Sequence, residues 1–127
     1  YEAGITHTFF PHGLGHLLGL QVHDAGGHQK TPNGALLPPP AEHPHLRLTR
    51  VLEPGFVLTI EPGIYFIPML LKKLSVSTHK KHINWDLIEE FIPFGGVRIE
   101  DNIVVTTSKA RNLTRQFLPS VNAVSTF

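Results

Sequence analysis

Gly96-Val97-Arg98-Ile99-Glu100-Asp101-Asn102-Ile103-Val104-Val105 alternates in a way that decides how the rest of the chain is read. A two-residue period puts Val97, Ile99, Ile103 and Val105 on one face of a strand, with Arg98, Glu100 and Asn102 on the other. A second run, Val57-Leu58-Thr59-Ile60, is dense in β-formers. The turn signal Glu53-Pro54-Gly55 precedes it and Glu61-Pro62-Gly63 ends it. Gly63-Ile64-Tyr65-Phe66 resumes as a short strand, so these stretches predict a sheet.

Outward from that sheet the signals are shorter. Residues 6–10 are β-branched and aromatic and read as a strand; residues 17–24 could end in another. Residues 25–50 are rich in Gly, Pro and His, with Pro38-Pro39-Pro40 inside, and read as loop. Residues 69–74 and 85–91 carry helical periodicity, and Asn84 is a good N-cap for the second. From Ser108 the tail is expected to wrap the surface, with one short helix near Leu113. No internal repeat is visible. The fold class is α+β, a sheet with a few short helices.

Length and composition exclude several functions. The 127 residues suit one domain with a small core. A net charge of +1 with scattered basic residues gives no reason to expect nucleic acid; Lys72-Lys73 and Lys80-Lys81 read as solvated helix faces. With no cysteine, disulfides, thiolate zinc sites and a cysteine nucleophile are excluded. That absence fits a reducing compartment, and the chain is expected to be cytoplasmic. No apolar run reaches the length of a membrane span and no signal peptide opens the chain, which starts at Tyr1 as an internal segment would.

The nine histidines stand out, and five of them (His7, His12, His16, His23, His28) fall between positions 7 and 28. His12 and His16 are four apart, but Gly13 and Gly15 between them oppose a helix, so this is not a helical two-histidine zinc site. The glycines fit a tight backbone path that brings an imidazole into a crowded pocket; a polar loop histidine is the plainer reading. Glu61 ends an apolar run. A carboxylate there is either paired or metal-bound, or has already reached solvent at the strand end. Glu100 beside Arg98 reads either as an exposed ion pair of small energy or as a ligand carboxylate next to a fixed cation.

Taken together and in order, Pro11-His12-Gly13-Leu14-Gly15-His16, Gly19-Leu20-Gln21-Val22-His23-Asp24, Leu58-Thr59-Ile60-Glu61-Pro62-Gly63 and Arg98-Ile99-Glu100-Asp101-Asn102 resemble the signature blocks of the pita-bread metallopeptidases. That group holds the prolidases, aminopeptidase P and the methionine aminopeptidases. The long stretch from position 62 to 97 is similar to that of bacterial Xaa-Pro dipeptidases and their organophosphate-hydrolysing relatives. The resemblance covers residues 9–118.

It implies the C-terminal part of a pita-bread catalytic domain, with a curved antiparallel sheet, so that residues 1–127 form a single incomplete domain. It also implies two divalent metal ions held by two aspartates, one histidine and two glutamates. His16 matches the histidine, and Glu61 and Glu100 match the glutamates. Glu100 would bridge both ions, and Glu61 would bind one and act as general acid/base. His12 and His23 match pocket histidines that contact substrate or stabilise developing charge. Arg98 matches an arginine beside the bridging carboxylate and joins them in the catalytic and substrate-binding set. An oxygen-rich set with one imidazole suits Mn²⁺, with Co²⁺ or Zn²⁺ as alternatives. The implied substrate is an Xaa-Pro dipeptide.

The two aspartate ligands have no match here: Asp24, Asp86 and Asp101 lie outside such a motif. The chain is therefore expected to be a fragment with three of five ligands, inactive or nearly so alone, from a parent that forms a homodimer. A fragment that exposes apolar sheet surface should also self-associate. Three other readings stand beside this one. The parent could act on organophosphate triesters, the chain could be a catalytically silent binding module of the same fold, or it could be a mononuclear His/Glu/Glu zinc protein. The dipeptidase reading requires the imidazole of His16 and the carboxylates of Glu61 and Glu100 to converge.

Overall fold

The structure, a computed structural model, describes residues 3–118. Short helices and antiparallel strand pairs alternate along the chain, as expected of an α+β fold. The described residues cluster into two compact units. One is built from the N-terminal residues to His12 together with Pro62–Ile99, and the other from Gly13–Glu61 together with the residues from Glu100 on.

In the second unit, β1 (Val57–Ile60) pairs antiparallel with β4 (Asp101–Val104), and β4 with the two-residue β5 (Arg111–Asn112). The other edge of β1 is covered by residues 14–18. Leu18 N–H donates to the Val57 carbonyl, Thr59 N–H to the His16 carbonyl and Glu61 N–H to the Leu14 carbonyl. β1 is thus an inner strand with both faces enclosed, and Leu58 and Thr59 are 2% and 1% exposed. Its run of β-formers is what such a strand needs, since it has no solvent face for polar residues. Burying Leu58 contributes about 2 kcal/mol. Gly15 makes the close approach feasible, because a Cβ there would lie 1.9 Å from the Thr59 carbonyl oxygen.

Residues 25–50 are mainly loop, as read, but tied down by a 3₁₀ turn at Ala25–His28 capped by Asp24. Both Thr49 and Arg50 N–H donate to the Gly27 carbonyl. Residues 17–24 form no second strand: Leu17 makes an isolated bridge to Leu58, and Asp24 N–H turns back to the Leu17 carbonyl.

In the first unit, β2 (Gly63–Tyr65) pairs antiparallel with β3 (Gly96–Arg98). Between them run α2 (Pro68–Ser75) and α3 (Trp85–Phe91), joined through a 3₁₀ turn at Thr78–His82. Pro68 starts α2, where a missing N–H costs nothing. Leu71 and Leu74 are buried one turn apart, while Lys72 and Lys73 stay exposed. Asn84 caps α3 as expected, its side-chain oxygen accepting from Leu87 N–H at 3.2 Å. Phe66 stacks on Phe91 at 5.4 Å and meets Phe9 edge-on at 6.1 Å. Ile64, Phe66, Phe91, Phe94, Gly96 and Val97 line an apolar cavity of about 360 Å³.

Three further sequence expectations are corrected. Residues 6–10 are not a strand: Thr6–Phe9 is a single helical turn, α1, and Phe10 leaves it at φ −140° and ψ 78°, outside the helical region that a residue before proline avoids. The stretch from Gly96 to Val105 is not one strand but two. The segment opposite carries Pro62, which has no N–H to give, and regular pairing stops there on both sides. Arg98 and Asn102 therefore belong to different ladders. No helix forms near Leu113. The Asn112 side chain accepts from both Thr114 and Arg115 N–H, a local turn that competes with helix. Among the described residues, no helix is long and apolar enough to cross a membrane.

Candidate metal centre

His16, Glu61 and Glu100 each offer a ligand atom, and the three atoms lie within 4.8 Å of one another, a spacing that could hold a metal ion. All three residues belong to the Gly13–Glu61 and Glu100 unit. The β1–β4 ladder explains the placement of the carboxylates. Its last pair is Ile60 with Asp101, so the next position puts Glu61 opposite Glu100. The residues alongside β1 bring in the histidine, whose carbonyl accepts from Thr59 N–H at 2.9 Å.

Burial separates the three. His16 and Glu61 are 3% and 6% exposed, whereas Glu100 is exposed. The imidazole of His16 is oriented by its own neighbour: Nδ1 lies 3.0 Å from the Leu17 carbonyl oxygen. A carbonyl can only accept, so Nδ1 carries the proton there and Nε2 is the ring atom left to coordinate an ion. That Nε2 is 3.3 Å from Glu61 Oε1. An imidazole lone pair and two carboxylates gathered in one place are electron-rich atoms facing each other. They are stable together when a proton or a cation lies among them. The donor set, two carboxylates and one imidazole, fits a hard or borderline divalent ion such as Mn²⁺ or Zn²⁺.

Thr59 completes the local network and was not singled out in the sequence. Its hydroxyl accepts from His16 N–H and donates to Glu61 Oε1, each at 3.0 Å. The signal was available: two residues before Glu61 on one strand, it shares that side chain's face. His23 packs its ring edge-on against His16, centroids 4.4 Å apart, but is itself exposed.

His12 and Arg98 lie in the other unit, where Tyr65 joins them. The Tyr65 hydroxyl accepts from Arg98 Nε–H at 2.7 Å and lies 2.8 Å from His12 Nε2. The Arg98 guanidinium also reaches over the Tyr65 ring at 5.9 Å. Sequence reading took Tyr65 only as a strand residue. Two glycines make its position feasible: a Cβ at Gly63 would come within 2.7 Å of the Tyr65 hydroxyl, and one at Gly96 within 2.8 Å of its ring. The six residues read from the sequence thus fall into two groups. His16, His23, Glu61 and Glu100 lie in one unit, and His12 and Arg98 in the other.

The sequence pattern of metallopeptidase family M24 matches residues 1–107. The chain is 53% identical over 121 residues to an Xaa-Pro dipeptidase of Stenotrophomonas maltophilia, which spans 95% of this chain and 27% of that protein. It is 55% identical over 117 residues to an Xaa-Pro dipeptidase of Xanthomonas euvesicatoria, covering 92% and 26%. The chain therefore spans about a quarter of the length of the curated relatives it matches. Its fold is similar to that of aminopeptidase P from E. coli, a structure described with the inhibitor Pro-Leu. The TM-score is 0.54 at 32% identity, covering 97% of this chain and 21% of that one. With the family pattern matching more than four-fifths of its residues and a pita-bread neighbour in structure, the chain belongs to metallopeptidase family M24.

Proposed function

We propose that this chain supplies His16, Glu61 and Glu100 to a dinuclear metal centre in an enzyme that hydrolyses Xaa-Pro dipeptides, as one part of an incomplete catalytic domain. The observation that carries this is the gathering of one imidazole and two carboxylates within 4.8 Å. The similarity to Xaa-Pro dipeptidases supports the substrate class. The remaining two ligands, by the same reading, are aspartates outside this chain.

When bound, two divalent ions, manganese before cobalt or zinc, would acidify a shared water and offset the negative charge of the carboxylates. The chain's own residues have separate tasks. His16 offers Nε2 while Leu17 holds its Nδ1 proton. Glu61 takes the proton from the attacking water and returns it to the proline nitrogen as the bond breaks, which is general acid–base work. The amide to proline has no N–H to recognise, so the dipeptide must be held by its ends and its carbonyl. His12 and Arg98, joined by Tyr65, fit the substrate carboxylate, and His23 fits the charge that develops on the carbonyl oxygen.

The test is the complete protein that carries this sequence, purified with Mn²⁺ and offered an Xaa-Pro dipeptide, an Xaa-Pro-Xaa tripeptide and a p-nitrophenyl phosphotriester. Proline release from the dipeptide, lost on chelation and in His16→Ala, is the expected result. Preference for the tripeptide would move the reading toward an aminopeptidase, and preference for the triester toward phosphorus chemistry. No metal-dependent hydrolysis of any of them would leave a binding module. The 127-residue chain alone is expected to release no proline; stoichiometric micromolar metal binding by it would favour the mononuclear reading.

A further inference from the structure

The hydroxyl of Thr59 is placed between the main chain of one candidate ligand and the side chain of another. His16 N–H can only donate, so Oγ1 accepts from it, and the single hydroxyl proton goes to Glu61 Oε1. The residue is 1% exposed, on an inner strand hydrogen-bonded along both edges. Its β-branched side chain has little χ1 freedom, so the hydroxyl direction is set by the strand itself.

The geometry points to Thr59 as a positioning residue that pre-orients the Glu61 carboxylate for a divalent cation and couples it to the backbone of His16. This rests on the reading of His16, Glu61 and Glu100 as metal ligands. The oxygen that Thr59 holds is the same one that lies 3.3 Å from His16 Nε2, so one hydroxyl fixes the carboxylate where the imidazole also points. A carboxylate free to rotate would have to be ordered when the cation binds, and affinity would fall accordingly. Valine in its place would keep the volume and the strand preference and remove both hydrogen bonds.

The experiment is calorimetric titration of the metal-free complete protein with Mn²⁺, comparing wild type, Thr59→Val and Thr59→Ser, with circular dichroism of each metal-free protein as the check on folding. Thr59→Val should raise the Mn²⁺ dissociation constant about tenfold to a hundredfold, the range seen when an orienting partner of a ligand is lost. Thr59→Ser, which keeps the hydroxyl, should stay within about threefold of wild type. Should Thr59→Val fail to fold, Thr59→Ala carries the same expectation. A folded hydroxyl-free variant that binds Mn²⁺ as wild type does, or a serine variant as weak as the valine one, overturns the positioning role alone. Absence of Mn²⁺ binding by the wild type overturns the ligand reading and this inference with it.

Discussion

The two compact units hold their polar residues in opposite ways. Around β1, His16, Thr59 and Glu61 are almost wholly buried and linked from backbone to hydroxyl to carboxylate, with the His16 imidazole 3.3 Å from that carboxylate. Around the β2–β3 strand pair, His12, Tyr65 and Arg98 share one hydroxyl, and the arginine is exposed. The first arrangement suits groups that must bind a cation without moving. The second suits groups that meet a substrate from solvent and let it go. Burial raises the cost of any misplaced polar atom, so the β1 cluster should tolerate substitution far less than the Tyr65 cluster.

Substitutions can break or sharpen that contrast. The largest effect is expected at Glu61. Glu61→Gln in the complete protein should lower kcat/KM on an Xaa-Pro dipeptide by about a thousandfold, the scale of a lost general acid–base group. Activity within tenfold of wild type would remove Glu61 from the chemistry. Next comes Gly15→Ala, whose methyl would press into the Thr59 carbonyl at 1.9 Å. It should destabilise the fold by about 3 kcal/mol, read from urea denaturation, because both contact partners are backbone and cannot swing aside. An unchanged midpoint would mean that residues 14–18 do not pair with β1 as described.

Tyr65→Phe probes the cluster on the β2–β3 pair. Losing its two hydrogen bonds should raise KM about fivefold, near 1 kcal/mol, and leave Mn²⁺ affinity untouched. A fall in metal affinity comparable to that of Thr59→Val would dissolve the distinction between the clusters. The smallest effect belongs to Asn84→Ala, which removes the cap of α3. It should cost about 0.5–1 kcal/mol in thermal or urea unfolding with no change in kcat/KM. Any loss of activity there would tie α3 to the site in a way its capping role does not require.

Much of this was legible in the chain. The β1 run, the two helices of the first unit and the Asn84 cap follow local rules that tertiary context did not overturn. His16, Glu61 and Glu100 could be picked out by block order, and the geometry brings their donor atoms together. What escaped was decided by contacts between residues far apart. Thr6–Phe9 has β-forming residues, yet Phe9 packs on Phe66 and the turn closes as helix. The alternation from Gly96 to Val105 is present in the sequence, but Pro62 on the segment opposite interrupts the pairing, and no property of those ten residues reveals it. Thr59 and Tyr65 carried no charge or ring nitrogen to draw notice. Their importance comes from what lies within 3 Å of their oxygens.

The hydrogen bond from His16 Nδ1 to the carbonyl of the very next residue has one more consequence. In many such centres a distant side chain sets the ring's proton state, so the ligand cannot be moved without its helper. Here the helper travels with it. A short hairpin assembled from residues 14–18 and 57–61 would bring imidazole, hydroxyl and carboxylate to another scaffold already in register, a ready-made half of a binding site for protein engineering.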